Sequence, residues 1–527
     1  MPSVSRRPRP ASPRSGGRWR TYRVAAWRWV RRAALQCPWV PKPRQPTRCC
    51  LQLRGKAKGR RMLLRELAER IGEVTYERLP PPAVTVAKQG ILDTVGVALA
   101  GAQEDTTAVV TSVLRKTAGE GPALIFGTRD CVDVLSAALI NGTAAHALDF
   151  DDCSNSLGGH PSAPILPALF AIAPGSSGKA FIAAYAAGIE CETRLARAVN
   201  FHHYEKGWHP TATLGTFGSA AACGHLLALN AERLAIALAL AASMASGIKA
   251  NFATMTKPFH VGHTTRNGLL AALLAKEGMT ANTGALEHRQ GFFAVYNGPG
   301  SFKPDRVLEH WADPFDLIDP GIAFKRHPCC ASTHPAVDAM LHLREAHRLS
   351  PERVAKVESW THPRRLAHTN RPHPQSGLDG KFSIQYALTR ALMHGIVSIE
   401  HFSDAAVRDP AARALMARVT STPDPAAKSE TIDHFYCRLR ITTTSGEVFQ
   451  HFVDRPVGRD RDHPLPPGAL EAKFRDCAKT VLDAAAVETL LTQCNAVETL
   501  PDMSDVLNVI ASGVTPPAVA TRSRAYA

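Results

Sequence analysis

The chain has 527 residues, so one large domain or two ordinary domains with a sizeable hydrophobic core are expected. Its formal net charge is +16, but 18 of the 62 Lys and Arg residues lie in residues 1–61, which contain no Asp or Glu. Residues 62–527 therefore carry 44 basic and 46 acidic residues. This near neutrality argues against nucleic-acid binding by the body of the protein.

Residues 1–61 form a basic leader that is rich in Pro and Arg and shows no sustained apolar periodicity. We expect this leader to be disordered and outside the fold. Three explanations stay open: sequence upstream of a true start at Met62, an organelle transit peptide, or an arm that binds nucleic acid. A helical pattern begins directly at Met62, which favours the first explanation.

The segment after the leader has the pattern of a helical bundle. Apolar residues at steps of three and four predict a helix over residues 62–76, which a proline triplet ends. A second helix is predicted over residues 83–100, where Gly101 suits a helix end. Helical patterns rich in Ala and Gly continue to about residue 280, with Asn230 placed as an N-cap. Because small residues let helices approach closely, we expect a compact bundle.

The pattern changes after about residue 319. A strand is predicted over residues 354–360 and a hairpin over residues 437–453, with helices between them. The fold class is therefore mostly α, with a large helical domain and a smaller α+β unit inserted before the C-terminal helices. The expected divisions are the leader 1–61, helical residues 62–322, α+β residues 323–458, helical residues 459–513 and a disordered tail 514–527.

Cysteine usage and hydropathy indicate a cytoplasmic protein. Nine of the twelve cysteines lie beyond Met62, with no Cys-x-x-Cys pair, which is typical of reduced thiols. No run of 18 apolar residues occurs, so no membrane segment is expected. Phosphate-binding, dinucleotide-binding, Gly-x-Ser-x-Gly and zinc-ligand patterns are also absent from the sequence, which leaves ATP, nicotinamide and iron–sulfur chemistry without support.

The segment from His146 to Cys153 contains three carboxylates within four residues, and a Gly-Gly pair before His160 follows it. Such a cluster between apolar helices is costly to bury unless its charges are used. One interpretation has an Asp moving a proton and His160 binding a carboxylate or a proton. A hard-metal site and a solvated acidic helix end are the alternatives.

Three further segments combine cations with helix starts. His209 precedes a proline at a helix start, so the imidazole and the helix N-terminus can face an anion together. Lys257 stands beside two histidines in an apolar region and can neutralise a bound carboxylate. Lys325 precedes Cys330 and another helix that begins with proline. For each residue, a helix cap, a packed side chain or a solvated lysine is the alternative interpretation.

Six motifs, taken in chain order, resemble those of the MmgE/PrpD family. They are Asp149-Phe-Asp-Asp, Gly159-His160-Pro-Ser, Gly207-Trp-His209-Pro, Thr256-Lys257-Pro-Phe-His, the segment from Lys325 to His334, and Lys381-Phe-Ser-Ile-Gln-Tyr386. The resemblance implies a helical domain with a smaller α+β lid, an active site in the cleft between them, and a homodimer. The family includes 2-methylcitrate dehydratase and cis-aconitate decarboxylase, which need no metal or organic cofactor.

The resemblance also implies the site residues. The implied catalytic residues are Asp149, His160, Lys257 and Tyr386, and the implied substrate-binding residues are Cys153, His209, Lys325 and Cys330. Family members typically have threonine where Cys153 stands, and the decarboxylase-like members have histidine where Cys330 stands. These differences count against decarboxylation for this chain. The dehydratase subgroup in turn has a different sequence around the paired aspartates, which counts against methylcitrate as the substrate.

The sequence therefore predicts a cofactor-independent lyase of the dehydratase type, which removes a proton next to a carboxylate of a small di- or tricarboxylate. An epimerase, isomerase or decarboxylase of a related polycarboxylate is the alternative, and a nucleic-acid-associated protein acting through the leader is the remoter one. Asp149 or His160 is the expected base, and a second histidine or Tyr386 the expected acid. We expect no metal, a homodimer in the cytoplasm, and no nucleic-acid or membrane partner.

Overall fold

The computed structural model describes residues 62–427 and 435–515. The leader 1–61 lies outside the described residues, as do residues 516–527 of the tail, so the expectations made for them stay predictions. Val514 forms an isolated β-bridge with Leu482, so the fold extends past the predicted end at residue 513.

The first part of the chain is helical, as predicted. Its helices are α1 Leu63–Gly72, α2 Pro81–Gly101, α3 Asp105–Thr117, α4 Val134–Ala147, α5 Ser162–Ala171, α6 Gly178–Val199, α7 His202–Glu205, α8 Pro210–Thr213, α9 Gly215–Leu226, α10 Ala231–Met244, α11 Thr256–Lys276 and α12 Phe292–Asn297. Asn230 caps α10 as predicted, because its side chain accepts a hydrogen bond from the Arg233 backbone N–H at 2.9 Å. The first helix ends at Gly72, earlier than predicted.

Between these helices lie four two-residue strands, which form two pairs. They are β1 Ala123–Leu124 with β2 Cys131–Val132, and β3 Cys153–Ser154 with β4 Ile322–Ala323, both antiparallel. The second pair ties the segment after α4 to the chain that enters the smaller unit. Cys153 therefore stands on a paired, buried strand.

Glycines allow α4 and α11 to pack in close contact. A Cβ on Gly262 of α11 would lie 2.3 Å from the Leu139 carbonyl oxygen of α4, and a Cβ on Gly142 would lie 2.4 Å from the Thr265 hydroxyl. Any larger side chain would force the two helices apart. This approach brings the C-terminal end of α4 against the first turn of α11, and the candidate site begins there.

The smaller unit contains a four-stranded mixed sheet in the order β6-β5-β7-β8. Its strands are β5 Val354–Thr361, β6 Val419–Pro423, β7 Cys437–Thr443 and β8 Val448–Val453. The predicted strand and hairpin are confirmed as β5 and β7–β8. Strand β6 pairs parallel to β5 and was not predicted, since five residues ending in proline give little periodic signal. The helices are α13 His334–Ala346, α14 Pro363–Thr369, α15 Gly377–Gly380, α16 Ile384–His394, α17 Asp404–Arg408 and α18 Pro410–Met416.

The C-terminal helices α19 Ala469–Ala478, α20 Ala484–Asn495 and α21 Ser504–Ser512 return to the first part of the chain. Phe474 of α19 packs against α2, where a Cβ on Gly96 would lie 3.0 Å from its ring. One large hydrophobic cluster joins these helices to the first bundle, and a second cluster lies within residues 329–441. The mostly α fold class is confirmed, whereas the exact domain divisions stay a prediction that these two clusters support.

Among the described residues one helix, α2, is long and apolar enough to cross a membrane by length and composition alone. Most of α2 is buried against other helices, and Asp93 within it forms an ion pair with Lys473 of α19 at 2.6 Å. A core helix of a folded protein has these features.

Candidate active site

A cavity of about 80 Å³ is lined by residues of both the helical part and the smaller unit. Six of the eight residues predicted for the site line it: Asp149, Cys153, His160, His209, Lys257 and Cys330. Phe252, Phe382 and Phe435 supply apolar surface. The chain thus brings together residues that are up to 310 positions apart in sequence, from Asp149 to Arg459.

The turn that carries Asp149 is held by three buried lysines. Asp149 has a φ of +50°, in the left-handed region that Asp tolerates better than most residues. Each of three consecutive carbonyl oxygens accepts a hydrogen bond from an ammonium group: Leu148 O from Lys381 at 2.8 Å, Asp149 O from Lys325 at 2.6 Å, and Phe150 O from Lys473 at 2.6 Å. We call these three lysines the lysine cradle. They lie more than 170 positions from Asp149 in sequence, so the turn depends on contacts with distant parts of the chain.

Asp149 is a charged carboxylate surrounded by cations. Its Oδ1 accepts from Lys325 at 2.6 Å and from Lys257 at 3.3 Å, and His160 Nε2 lies 3.5 Å away. Burial acts to raise the pKa of Asp149, but Lys257 and Lys325 outweigh it and hold the pKa well below its ordinary value. The carboxylate therefore stays ionised at neutral pH. Its Oδ2 has no hydrogen-bond partner among the described residues.

Asp151 contacts two histidines, of which one is neutral and one is charged. Lys257 Nζ donates to His146 Nε2 at 2.6 Å, so His146 carries its proton on Nδ1 and donates it to Asp151 Oδ2 at 2.8 Å. Burial lowers the pKa of His146 to about 3, so this ring is neutral. Burial also disfavours the charged form of His160, but Asp151, 3.2 Å from Nδ1, raises its pKa to about 10. His160 is therefore an imidazolium at neutral pH and can act as an acid.

The third carboxylate of the motif has a structural role. Asp152 accepts hydrogen bonds from the backbone N–H and the hydroxyl of Ser162, the first residue of α5. The Ser162 hydroxyl also lies 2.5 Å from the Tyr185 hydroxyl. Burial and the nearby Asp93 raise the pKa of Asp152 well above its usual value. Asp152 thus orients the start of α5 and does not reach the cavity.

The cavity also contains neutral imidazoles. Burial and the charge of Lys257 hold the pKa of His209 well below its ordinary value. His209 Nδ1 lies 3.3 Å from His260 Nδ1, and burial lowers the pKa of His260 to about 4. An unprotonated His209 beside a protonated His160 gives the site a candidate base and a candidate acid.

Two predicted residues do not reach the cavity. Tyr386 lies in the core of the smaller unit, where its hydroxyl donates to His401 O at 2.5 Å and accepts from Arg390 Nε at 2.9 Å. The predicted role of Tyr386 as an acid therefore finds no support in the cavity lining and stays a prediction. Lys325 is also buried away from the cavity lining, because its ammonium is directed onto Asp149. These contacts position Asp149, and the predicted role of Lys325 in substrate binding stays a prediction.

The cavity contains residues that the sequence analysis did not assign. Arg365, His368 and Arg459 line it, and both guanidinium groups lie over the Phe435 ring, 3.7 and 3.6 Å from its centroid. Burial and Arg365 lower the pKa of His368 to about 3. Arg365 lies in α14, which begins with a proline like the helices after His209 and Cys330. That proline was the one sequence feature that could have indicated Arg365. Nothing in the spacing around Arg459 indicated a site.

His146, Asp149, Asp151 and His160 offer ligand atoms within 4.8 Å of one another, a spacing that suits a metal ion. However, Lys257 donates to His146 Nε2, and two ammonium groups already contact Asp149 Oδ1. A divalent cation would have to share these atoms with lysines at close range, and like charges a few ångströms apart in a buried site repel strongly. The donor set therefore does not fit a metal.

We accordingly expect turnover to survive metal removal. Dialysis of the purified protein against EDTA should leave the rate unchanged, and added Mg²⁺ or Zn²⁺ should not increase it. The residual metal content should be measured by mass spectrometry on the same sample. A loss of activity that one divalent ion restores would contradict this account of the cluster.

Comparison with known proteins identifies the family. The model of the MmgE/PrpD N-terminal domain matches residues 65–305, and that of the MmgE/PrpD C-terminal domain matches residues 327–496. The chain belongs to the MmgE/PrpD family. The predicted membership is thereby confirmed, and so is the prediction that the protein is an enzyme of the lyase type.

Three similar proteins show the range of activities named among the relatives of this MmgE/PrpD protein. Human cis-aconitate decarboxylase is 32% identical over 452 residues, which cover 83% of this chain and 92% of the human protein. Cis-aconitate decarboxylase of Aspergillus terreus is 25% identical over 481 residues, covering 86% of this chain and 97% of the fungal protein. Mitochondrial 2-methylcitrate dehydratase of Yarrowia lipolytica is 25% identical over 444 residues, which cover 78% of this chain and 83% of the yeast protein.

Proposed function

We propose that this MmgE/PrpD protein is a cofactor-independent lyase for a small tricarboxylate of the cis-aconitate or methylcitrate kind. One observation carries the proposal: a protonated His160 and a neutral His209 line the same cavity. One imidazole that carries a proton and another that is free to accept one, at the same cavity, give a proton-transferring lyase its two protonation states.

The charge of the cavity favours an anionic substrate. Among its lining residues, Lys257, Arg365, Arg459 and the imidazolium of His160 are cationic, whereas Asp149 is the one carboxylate. Guanidinium and ammonium groups bind carboxylates through charge-assisted hydrogen bonds. The phenylalanine rings exclude water and strengthen these contacts.

Decarboxylation is the first candidate reaction. The bond between a carbon and its carboxylate breaks, carbon dioxide leaves, and the electron pair stays on the carbon until His160 supplies a proton. Cations near the remaining carboxylates stabilise the carbanion more than the ground state. The human and mouse decarboxylases are 32% and 31% identical to this chain, which supports this candidate, although the cysteine at position 330 counts against it.

Dehydration is the second candidate, and one atom favours it. Asp149 Oδ2 is buried, and among the described residues it has no hydrogen-bond partner. A substrate hydroxyl could donate to it, and a hydroxyl is the group that dehydration removes. His209 would then take the proton next to the carboxylate, and His160 would protonate the departing hydroxyl.

A panel of cis-aconitate, citrate, isocitrate and 2-methylcitrate tests the proposal with the purified chain. Carbon dioxide release and double-bond absorbance should be followed in parallel, with deuterium incorporation measured in D₂O. Release of carbon dioxide identifies a decarboxylase, and gain of absorbance without it identifies a dehydratase. Deuterium incorporation without either change identifies an epimerase or isomerase.

Lys257→Ala is the matched control for this panel, since it removes a cavity cation without adding bulk. It should abolish the activity that the parent shows. Parent protein that is folded and inert towards all four acids would overturn the proposal.

A further inference from the structure

Cys153 lies beside the proposed acid and has an unusual environment for a buried thiol. Its Sγ is 3.8 Å from His160 Nδ1, and it lines the cavity. Burial acts to raise the pKa of this thiol, but His160 and Lys325 outweigh burial and lower the pKa. Burial raises the pKa of Cys330 in the same cavity, and also that of Cys131 on the surface. The thiolate is the nucleophilic form of a cysteine. Because its pKa is lowered, Cys153 ionises more readily than Cys330 or Cys131 and is the more reactive thiol.

The surroundings of Cys153 are built to receive an anion. Lys257, Arg365 and Arg459 line the same cavity, and among the lining residues Asp149 is the one carboxylate, so a bound anion meets an excess of positive charge. A second cavity of about 910 Å³ adjoins the first, because Asn155 and Phe201 line both. The Cys153 thiol, which ionises readily, therefore lies in the cavity where we expect small carboxylic acids to bind.

We propose that Cys153 is a covalent modification site for small anionic electrophiles, in particular acids whose carbon–carbon double bond is conjugated to a carboxylate. The link to such acids rests on the proposed function, because cis-aconitate contains this double bond and dehydration of a hydroxy acid creates it. Each turnover then holds the double bond of the acid close to the Cys153 thiolate. Slow self-inactivation follows.

The reaction is a conjugate addition that needs no further reagent. The Cys153 thiolate forms a bond to the alkene carbon β to the carboxylate, and the π-electron pair moves to the α-carbon. The imidazolium of His160 gives its proton to that carbon and becomes neutral. The product is a saturated acid joined to Cys153 through a thioether bond. Atoms, charge and electrons therefore balance.

Paired alkylating reagents test the site without any turnover. Iodoacetate is anionic and iodoacetamide is a neutral molecule of nearly the same size, and Cys131 serves as the exposed reference thiol within the same chain. Peptide mass spectrometry should show Cys153 carboxymethylated by iodoacetate about tenfold faster than Cys131, because electrostatic attraction and thiolate character act together. Iodoacetamide should show a smaller preference, and citrate should protect Cys153. Labelling of Cys131 ahead of Cys153 by iodoacetate would overturn the proposal.

Maleate then tests the conjugate addition itself. Prolonged incubation should add one molecule of acid at Cys153, and Cys153→Thr should abolish this adduct while circular dichroism shows an unchanged fold. Cys131→Ser, remote from the cavity, should leave both the adduct and the activity as in the parent. Intact Cys153 after the parent has been inactivated would contradict the proposal. Normal labelling in a protein that turns over none of the four tricarboxylates would instead count against the proposed function alone.

Discussion

Asp149→Asn should reduce turnover by about a hundred- to a thousandfold, because the substitution removes the charge around which the site's cations are arranged. It should also lower the free energy of unfolding by about 3–5 kcal/mol, the usual cost of breaking a buried ion pair. The reason is that Lys325 and Lys257 both contact Asp149 Oδ1 and would be left buried without a counter-charge. Urea denaturation and steady-state kinetics on the same preparation measure the two effects.

The double variant Asp149→Asn with Lys325→Met separates these two effects. Removing the lysine should recover part of the lost stability, since one uncompensated buried charge disappears. Turnover should stay low, because the carboxylate is still missing. If the double variant regained activity with stability, Asp149 would be a structural residue and not a part of the chemistry.

His160→Gln should lower kcat by about a hundred- to ten-thousandfold, the range for loss of a general acid. Asp151 and the neighbouring Cys153 raise the pKa of His160 to about 10, so the parent's rate should stay high through neutral pH and fall as pH rises through about 10. The variant's residual rate should lack this alkaline decrease. A pH profile of kcat for both proteins from pH 6 to pH 11, within the protein's stable range, makes the comparison.

The same group predicts how stability depends on pH. A histidine whose pKa is raised on folding contributes stability that is fully present below its unfolded pKa of about 6.5 and is lost as pH rises through the folded value. His160 should therefore stabilise the parent relative to the variant at pH 6, and this difference should vanish above about pH 10. Cys330→Ser, at the same cavity but with no link to Asp151, is the matched control and should leave this pH dependence unchanged. If the free energies of unfolding of the parent and the His160→Gln variant differed by the same amount at every pH in this range, the raised pKa assigned to His160 would be contradicted.

The sequence by itself determined much of the fold and the family. Apolar periodicity and the proline triplet located α2, Asn230 marked the start of α10, and alternation located β5 and the β7–β8 hairpin. These features are local, because a helix stripe, a cap or a hairpin depends on residues a few positions apart. Six motifs in order were enough to identify the MmgE/PrpD family and six residues of the cavity.

Only the tertiary structure decided what those residues do. Asp149, Asp151 and Asp152 are neighbours in sequence, yet they do different things. Asp149 lies at the cavity among cations, Asp151 keeps His160 charged, and Asp152 accepts hydrogen bonds from the first residue of α5. Tyr386 belongs to a site motif but faces the core of the smaller unit, because a motif does not reveal which side of a helix is turned inward. The lysine cradle joins residues more than 170 positions from Asp149, and burial shifts pKa values through such distant partners. Charge states are properties of the folded surroundings, and a linear pattern does not contain them.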